Sequence, residues 1–135
     1  MNTFFKKRVL GFTTIELMIV IVIVALLLAL AYPSYINYTR KAKRGEAQQL
    51  LMNWAVNQEI FRSNNTSYAT LAQMAAPTGD YYNFDTNGAN PTATAYTLRA
   101  QAQGDQANDK ARDGTLCTSL TIDQSGQKLP ASCWE

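Results

Sequence analysis

From Phe12 to Tyr32 the chain holds 21 residues and a single charged side chain, Glu16. As a helix rising about 1.5 Å per residue this stretch is ~31 Å long, close to the hydrocarbon thickness of a bilayer. Such a segment has three fates: removal as a secretory signal, burial in lipid, or burial among other helices. The preceding Lys6, Lys7 and Arg8 fit the first, since signal peptides begin basic. The remainder does not. No small-x-small cleavage site closes the run, which passes directly into Tyr32-Pro33-Ser34-Tyr35, and a lone Gly11 stands before it instead of after it. Retained, the segment spans the membrane with Lys6, Lys7 and Arg8 on the cytoplasmic side, and the part beyond it lies outside the cytoplasm.

The rest of the 135 residues has a different character. Apolar residues make up 47% of the chain, yet mean hydropathy is −0.19, because the sequence beyond the span is rich in Asn, Gln, Thr, Ser and Ala. There is room for one domain core. No histidine is present, which removes the usual general base and the commonest metal ligand. Two cysteines alone cannot build a zinc site. No catalytic constellation emerges, so an enzyme is not expected, nor a cofactor or metal. The formal charge of +2 sums unlike parts: residues 1–11 carry three basic side chains and no acid, whereas from Glu46 onward five basic residues face nine acidic ones. A bulk attraction for nucleic acid is not encoded.

Glu16 is the anomaly within the apolar run, because a carboxylate inside a membrane helix costs roughly 2.5–3.5 kcal/mol on insertion scales. Taken alone, it can also sit near the interface, hydrated and favoured by the helix dipole. Its surroundings decide. The string Lys6-Lys7-Arg8-Val9-Leu10-Gly11-Phe12-Thr13-Thr14-Ile15-Glu16-Leu17-Met18-Ile19-Val20 closely resembles the class III signal of type IV pilins. In that family a basic leader ends in Gly, a peptidase on the cytoplasmic face cuts there, and the new N-terminal Phe is N-methylated. The resemblance implies cleavage between Gly11 and Phe12, methylation of Phe12, and Glu16 as the family's acidic residue. The new α-ammonium of one subunit could then meet Glu16 of a neighbour inside an apolar filament core. Thr14 departs mildly from the Leu that is commoner in the family.

Past the span, Pro33 removes a backbone donor and is expected to kink or loosen the helix, or else to end it. Against an ending, Ile36, Ala42, Ala47, Leu50, Leu51, Trp54 and Phe61 continue with mostly three- and four-residue spacings. One long helix is expected over about Phe12 to Phe61, presenting Leu50, Leu51 and Trp54 to a sheet. Arg40, Lys41, Lys43 and Arg44 form a basic cluster, read as a solvated turn near lipid headgroups or as contacts to acidic neighbours in a filament.

Asn64 to Ser67 is a polar break. Tyr81, Tyr82 and Phe84 mark a short extended piece, and Asn87 to Pro91 a turn. Tyr96, Leu98, Ala100 and Ala102 alternate with polar residues as a strand with one wet face, a pattern repeated by Leu116, Leu120 and Ile122. Asp123 to Gly126 reads as a turn and Gln127 to Leu129 as the returning strand. Outside the cytoplasm Cys117 and Cys133 are expected to form a disulfide worth about 3 kcal/mol, with two free thiols as the alternative. Asp105, Asp109 and Asp113 lie between Gly104 and Gly114; calcium is conceivable, but the spacing fails its loop pattern, and a solvated hairpin loop is expected.

These readings combine into an α+β chain with the type IV pilin fold: one long N-terminal helix, membrane-spanning then amphipathic, packed on a small antiparallel sheet of three to four strands. The expected organisation is a cleaved leader (1–11), a transmembrane and filament-core helix (12–33), an amphipathic helix half (34–62) and a globular head (63–135) with a C-terminal disulfide loop. The resemblance is strongest over the first fifty or so residues. It continues through Arg44-Gly45-Glu46-Ala47, Gln58-Glu59-Ile60-Phe61, Tyr68 and the Cys117 to Cys133-Trp134 loop, most like a PilE-like minor pilin. It implies a pilus subunit, held in the inner membrane with its head in the periplasm and later carried on the surface. The filament would support adhesion, twitching motility and DNA uptake. The implied partners are other major and minor pilins, prepilin peptidase and the inner-membrane assembly platform, with Glu16 and Pro33 serving assembly. Two relatives stay open: a type II secretion pseudopilin and a DNA-receptor pilin. The latter needs a basic stripe for which Arg99, Lys110 and Arg112 are the candidates, so nucleic acid is not expected to bind this subunit alone.

Overall fold

The computed structural model describes residues 11–135; the basic leader residues Lys6, Lys7 and Arg8 lie outside the described residues. One helix, α1 (Thr14–Asn64), is followed by strands β1 (Tyr82–Asp85), β2 (Thr97–Ala102), β3 (Ser119–Asp123) and β4 (Lys128–Leu129). Short 3-10 turns occupy Gly104–Asn108 and Ala131–Trp134. The chain divides after Ile36 into two compact units.

Helix α1 starts two residues later than the apolar run, and its first turn explains why. The Thr13 hydroxyl accepts the Glu16 amide at 3.3 Å and the Thr13 carbonyl accepts that of Leu17. Thr13 is therefore the N-cap and Glu16 occupies the third helical position, the Thr-x-x-Glu arrangement of a capping box. The helix continues through Pro33. It also outlasts the expected end at Phe61, because Asn64 and Asn65 turn their side-chain amides back onto the carbonyls of Ile60 and Phe61, satisfying acceptors that a helix end otherwise strands.

In the first unit the large apolar side chains from Ile15 to Leu30 are all between 47% and 78% exposed. Among the described residues nothing covers them, and water does not tolerate a continuous apolar surface of this length. The segment is long and apolar enough to cross a membrane.

In the second unit, residues Asn37–Glu135, the buried residues of α1 are Arg44, Ala47, Leu51, Trp54, Ala55 and Gln58. Their three- and four-residue spacing gives one inward stripe. The sheet is an antiparallel meander ordered β1-β2-β3-β4, with Leu98 opposite Ile122 and Ala100 opposite Leu120. Those four side chains are buried, while Thr97, Arg99 and Gln101 take the other face and stay partly exposed, the period-two pattern of a half-buried strand. Leu51, Trp54, Tyr82, Leu98 and Leu120 belong to one core cluster. Leu116, expected to open β3, instead sits outside it in an isolated bridge to Lys110 and is half exposed; the strand begins at Ser119.

Loops are tied down by side chains as much as by the sheet. Gln58, fully buried, pairs with both the carbonyl and the amide of Ala69 at 3.0 and 2.8 Å, copying a strand-strand pairing where the chain leaves the helix. Asn87 and Gly88 have φ of 51° and 79° and an Ala89 amide to Thr86 carbonyl bond. This is the turn that Asn-Gly favours because both positions need positive φ. Cys117 and Cys133 are joined, fastening the last turn to the start of β3.

Candidate functional site

The residues of the N-terminal signal stand at the exposed start of α1. Gly11, Phe12 and Glu16 are all exposed. Glu16 reaches no basic residue of its own chain among the described ion pairs.

The head carries a feature that sequence reasoning did not assemble. The Arg40 guanidinium makes a bidentate pair with Asp105, Nε to Oδ2 at 3.1 Å and Nη2 to Oδ1 at 2.7 Å. One helical turn on, Arg44 Nη1 meets Asp109 Oδ2 at 2.9 Å and also lies 2.9 Å from Cys117 Sγ. The outer pair is half open to solvent, with Asp105 68% exposed; the inner pair is sealed, its side chains 5% and 3% exposed. Gln106 sits between them, its amide donating to the Arg40 carbonyl and the Tyr82 hydroxyl. The solvated reading of this basic cluster is corrected for Arg44, which is buried in the head, while Arg40 pairs with Asp105 at the surface. The expected solvated loop holds for Asp105 and Asp113, which are exposed, and is corrected for Asp109, which is buried and ion-paired; Asp113 is bonded within its own turn, through Thr115. The signal was available in the shared spacing of four residues in Arg40/Arg44 and Asp105/Asp109.

The Arg40 bond holds the Asp105 carboxyl below the usual carboxylate range. Burial pushes the Asp109 carboxyl upward, against the pull of Arg44. On the open face of the sheet Arg99 forms a bidentate pair with Asp85 at 3.0 and 2.7 Å. Burial alone would raise the Asp85 carboxyl, but Arg99 and the Asn87 amide carry it below the ordinary value. Of the three basic residues considered for DNA, Arg99 is thereby consumed; Lys110 and Arg112 remain exposed. Lys43 lies over the Tyr81 ring at 3.8 Å. No cluster of three or more potential metal ligands occurs among the described residues.

A long helix, apolar in its first half, leads into a head of four antiparallel strands, the architecture of a membrane-anchored or filament-forming subunit. Residues 6–32 match the prokaryotic N-terminal methylation motif, and residues 33–121 match the family model described as "Type IV minor pilin ComP, DNA uptake sequence receptor". The chain belongs to this family of type IV pilins. It is 40% identical over 88 residues to the type IV major pilin protein PilE of Neisseria gonorrhoeae, covering 60% of this chain and 50% of that protein. It is 34% identical to the major pilin PilA of Myxococcus xanthus, covering 63% and 40%. The chain thus spans about half the length of these relatives or less. The fimbrial protein EcpC of Eikenella corrodens is 27% identical over 91% of this chain and 89% of its own. In fold the chain is similar to a type IV pilin from Shewanella oneidensis (TM-score 0.54, 24% identity, 71% of this chain and 98% of that one). It is also similar to the non-core minor pilin PilV of Neisseria meningitidis (TM-score 0.52, 18% identity, 68% and 86%). The chain is a structural pilin subunit with an α+β fold.

Proposed function

We propose that this chain is a minor pilin of a type IV pilus, cut between Gly11 and Phe12, methylated on Phe12 and polymerised through the apolar half of α1. The observation that carries the reading is the match of residues 33–121 to a family described as a minor pilin, continuous with a methylation motif over residues 6–32. Before assembly the apolar segment holds the subunit in the inner membrane with its head in the periplasm. The assembly platform then passes it into the filament. The α-ammonium freed at Phe12 neutralises Glu16 of an adjoining subunit, which removes the cost of an unpaired carboxylate among apolar helices. Deleting the gene, shearing surface filaments and assaying twitching and the secreted proteome tests this. Lost pili and motility with intact secretion is the expected outcome. Unchanged pili with exoproteins trapped in the periplasm would identify a secretion pseudopilin instead.

A second reading, DNA capture during uptake, is favoured by the receptor description of the same family. The acidic balance of the head and the pairing of Arg99 with Asp85 leave Lys110 and Arg112, of the three basic residues considered for DNA, as its cationic contacts. Full-length protein in detergent micelles should then bind duplex DNA with an affinity that falls with salt, and Lys110→Gln with Arg112→Gln should flatten that dependence by about two phosphate contacts. An unchanged salt slope in the double variant would sink this reading while leaving the pilus subunit role intact.

A further inference from the structure

Lys128, on β4, directs its ammonium at a thioether: Nζ lies 3.5 Å from Met52 Sδ on α1 and 5.1 Å from the centroid of the Trp134 ring. The pairing is chemically mismatched. A lysine ammonium is a compact, strongly hydrated cation with three donors, whereas a thioether sulfur is a weak, soft acceptor. Lys128 forms no ion pair among the described residues, so its contacts within the protein are this sulfur and an aromatic face. Met52 is partly buried and packs against the core cluster. Met52 is thus only partly shielded from solvent and has a cation beside its sulfur.

We infer that Met52 is an oxidation site whose sulfoxide is captured by Lys128. The oxidant is a peroxide. A sulfur lone pair attacks one oxygen of hydrogen peroxide, the O–O bond breaks, and the departing hydroxide takes the proton from the hydroxyl now on sulfur, leaving as water. Sulfur is oxidised to the sulfoxide and hydrogen peroxide is reduced to water. The new S–O group is polar and a strong acceptor. In most cores it would find no donor and would loosen packing. Here it is formed beside an ammonium whose flexible stem can retreat to accommodate it, replacing a weak N–H···S contact by a charge-assisted hydrogen bond between α1 and the edge strand of the sheet. Met74, the other partly buried methionine of the head, makes no cation–sulfur contact among the described residues like that of Met52 and serves as the internal contrast.

The test uses the full chain in detergent with Met74→Leu, so that Met52 is the one oxidisable methionine of the head. Hydrogen peroxide is added to a dose that converts free methionine, and peptide mapping reads the gain of one oxygen on Met52. Thermal unfolding of the head is then compared before and after oxidation, with Lys128 and with Lys128→Leu. With Lys128 the midpoint should hold or rise on oxidation. Without it the same oxidation should lower the midpoint by about 4 °C or more. A purely structural role for Lys128 would instead lower both midpoints equally, so the difference between the two oxidation shifts is the readout. Lys128→Arg, which keeps donors in place, should restore tolerance even if the leucine variant folds poorly. Equal losses with and without a cation at position 128, or a Met52 that stays unmodified at that dose, would overturn the inference.

Discussion

Two ion pairs one helical turn apart show how little chemical identity says about energetic weight. Arg40–Asp105 has the better geometry, bidentate and short, yet Asp105 faces water, where solvent screens most of the attraction. Arg44–Asp109 makes one contact at 2.9 Å, but both partners are sealed, so removing either strands a charge in the interior. Asp109→Ala should therefore destabilise the head by about 3–5 kcal/mol, measured by denaturant unfolding at neutral pH, whereas Asp105→Ala should shift the midpoint far less. Replacing both inner partners, Arg44→Met with Asp109→Leu, should return most of the lost stability, because the cost lies in the orphaned charge and not in a missing attraction. Equal losses for the two alanine variants would show that the burial difference carries no weight.

At the scale of elements, what was legible in the sequence were features written in periodicity. The alternation of Leu98, Ala100 and Ala102 placed β2, the stripe of Ala47, Leu51 and Trp54 placed the buried face of α1, and the Asn-Gly pair placed its turn. What was not legible depended on pairing between distant residues. Thr13 as N-cap could have been read, since Thr-x-x-Glu is a local motif, but the apolar run drew the helix start to Phe12. The use of Arg40 and Arg44 required knowing that residues 105–109 fold back onto that face of α1, some 65 positions away. Leu116 misled for a related reason. It has the right spacing for β3, but Lys110 pairs with it ahead of the strand and leaves its side chain in water. Val56 and Ile60 likewise stay exposed on α1, apolar residues that the helix turns away from its own sheet.

For the molecule as a whole, acid stability follows from the sum of these carboxylates. Asp85, Asp105, Asp113 and Asp123 all have folded values held below the usual range by hydrogen bonds from Arg99, Arg40, Thr115 and Ser125 respectively. Each contributes stability that is fully present above about pH 4 and is lost as pH falls through its lowered value, because the unfolded chain takes up protons first. Asp109, raised by burial, acts in the opposite sense, giving up stability as pH rises from the ordinary value to its own. Four against one, the head should weaken steadily below about pH 4. Asp85→Asn should make that decline shallower in unfolding curves followed from pH 6 to pH 2. A stability flat across that range would contradict the assignment.

The paired arginines also have a mechanical meaning. Slide α1 by one turn, about 5.4 Å, and Arg44 faces Asp105 while Asp109 is left buried without a cation. Only the native register meets both aspartates, and a slipped one strands the buried Asp109. A filament pulled along its axis loads each subunit through this helix, and the clamp receives that load as shear on both pairs in parallel. The helix half inside the head is latched against axial creep, which sheet packing by Leu51 and Trp54 alone, being non-directional, resists only weakly.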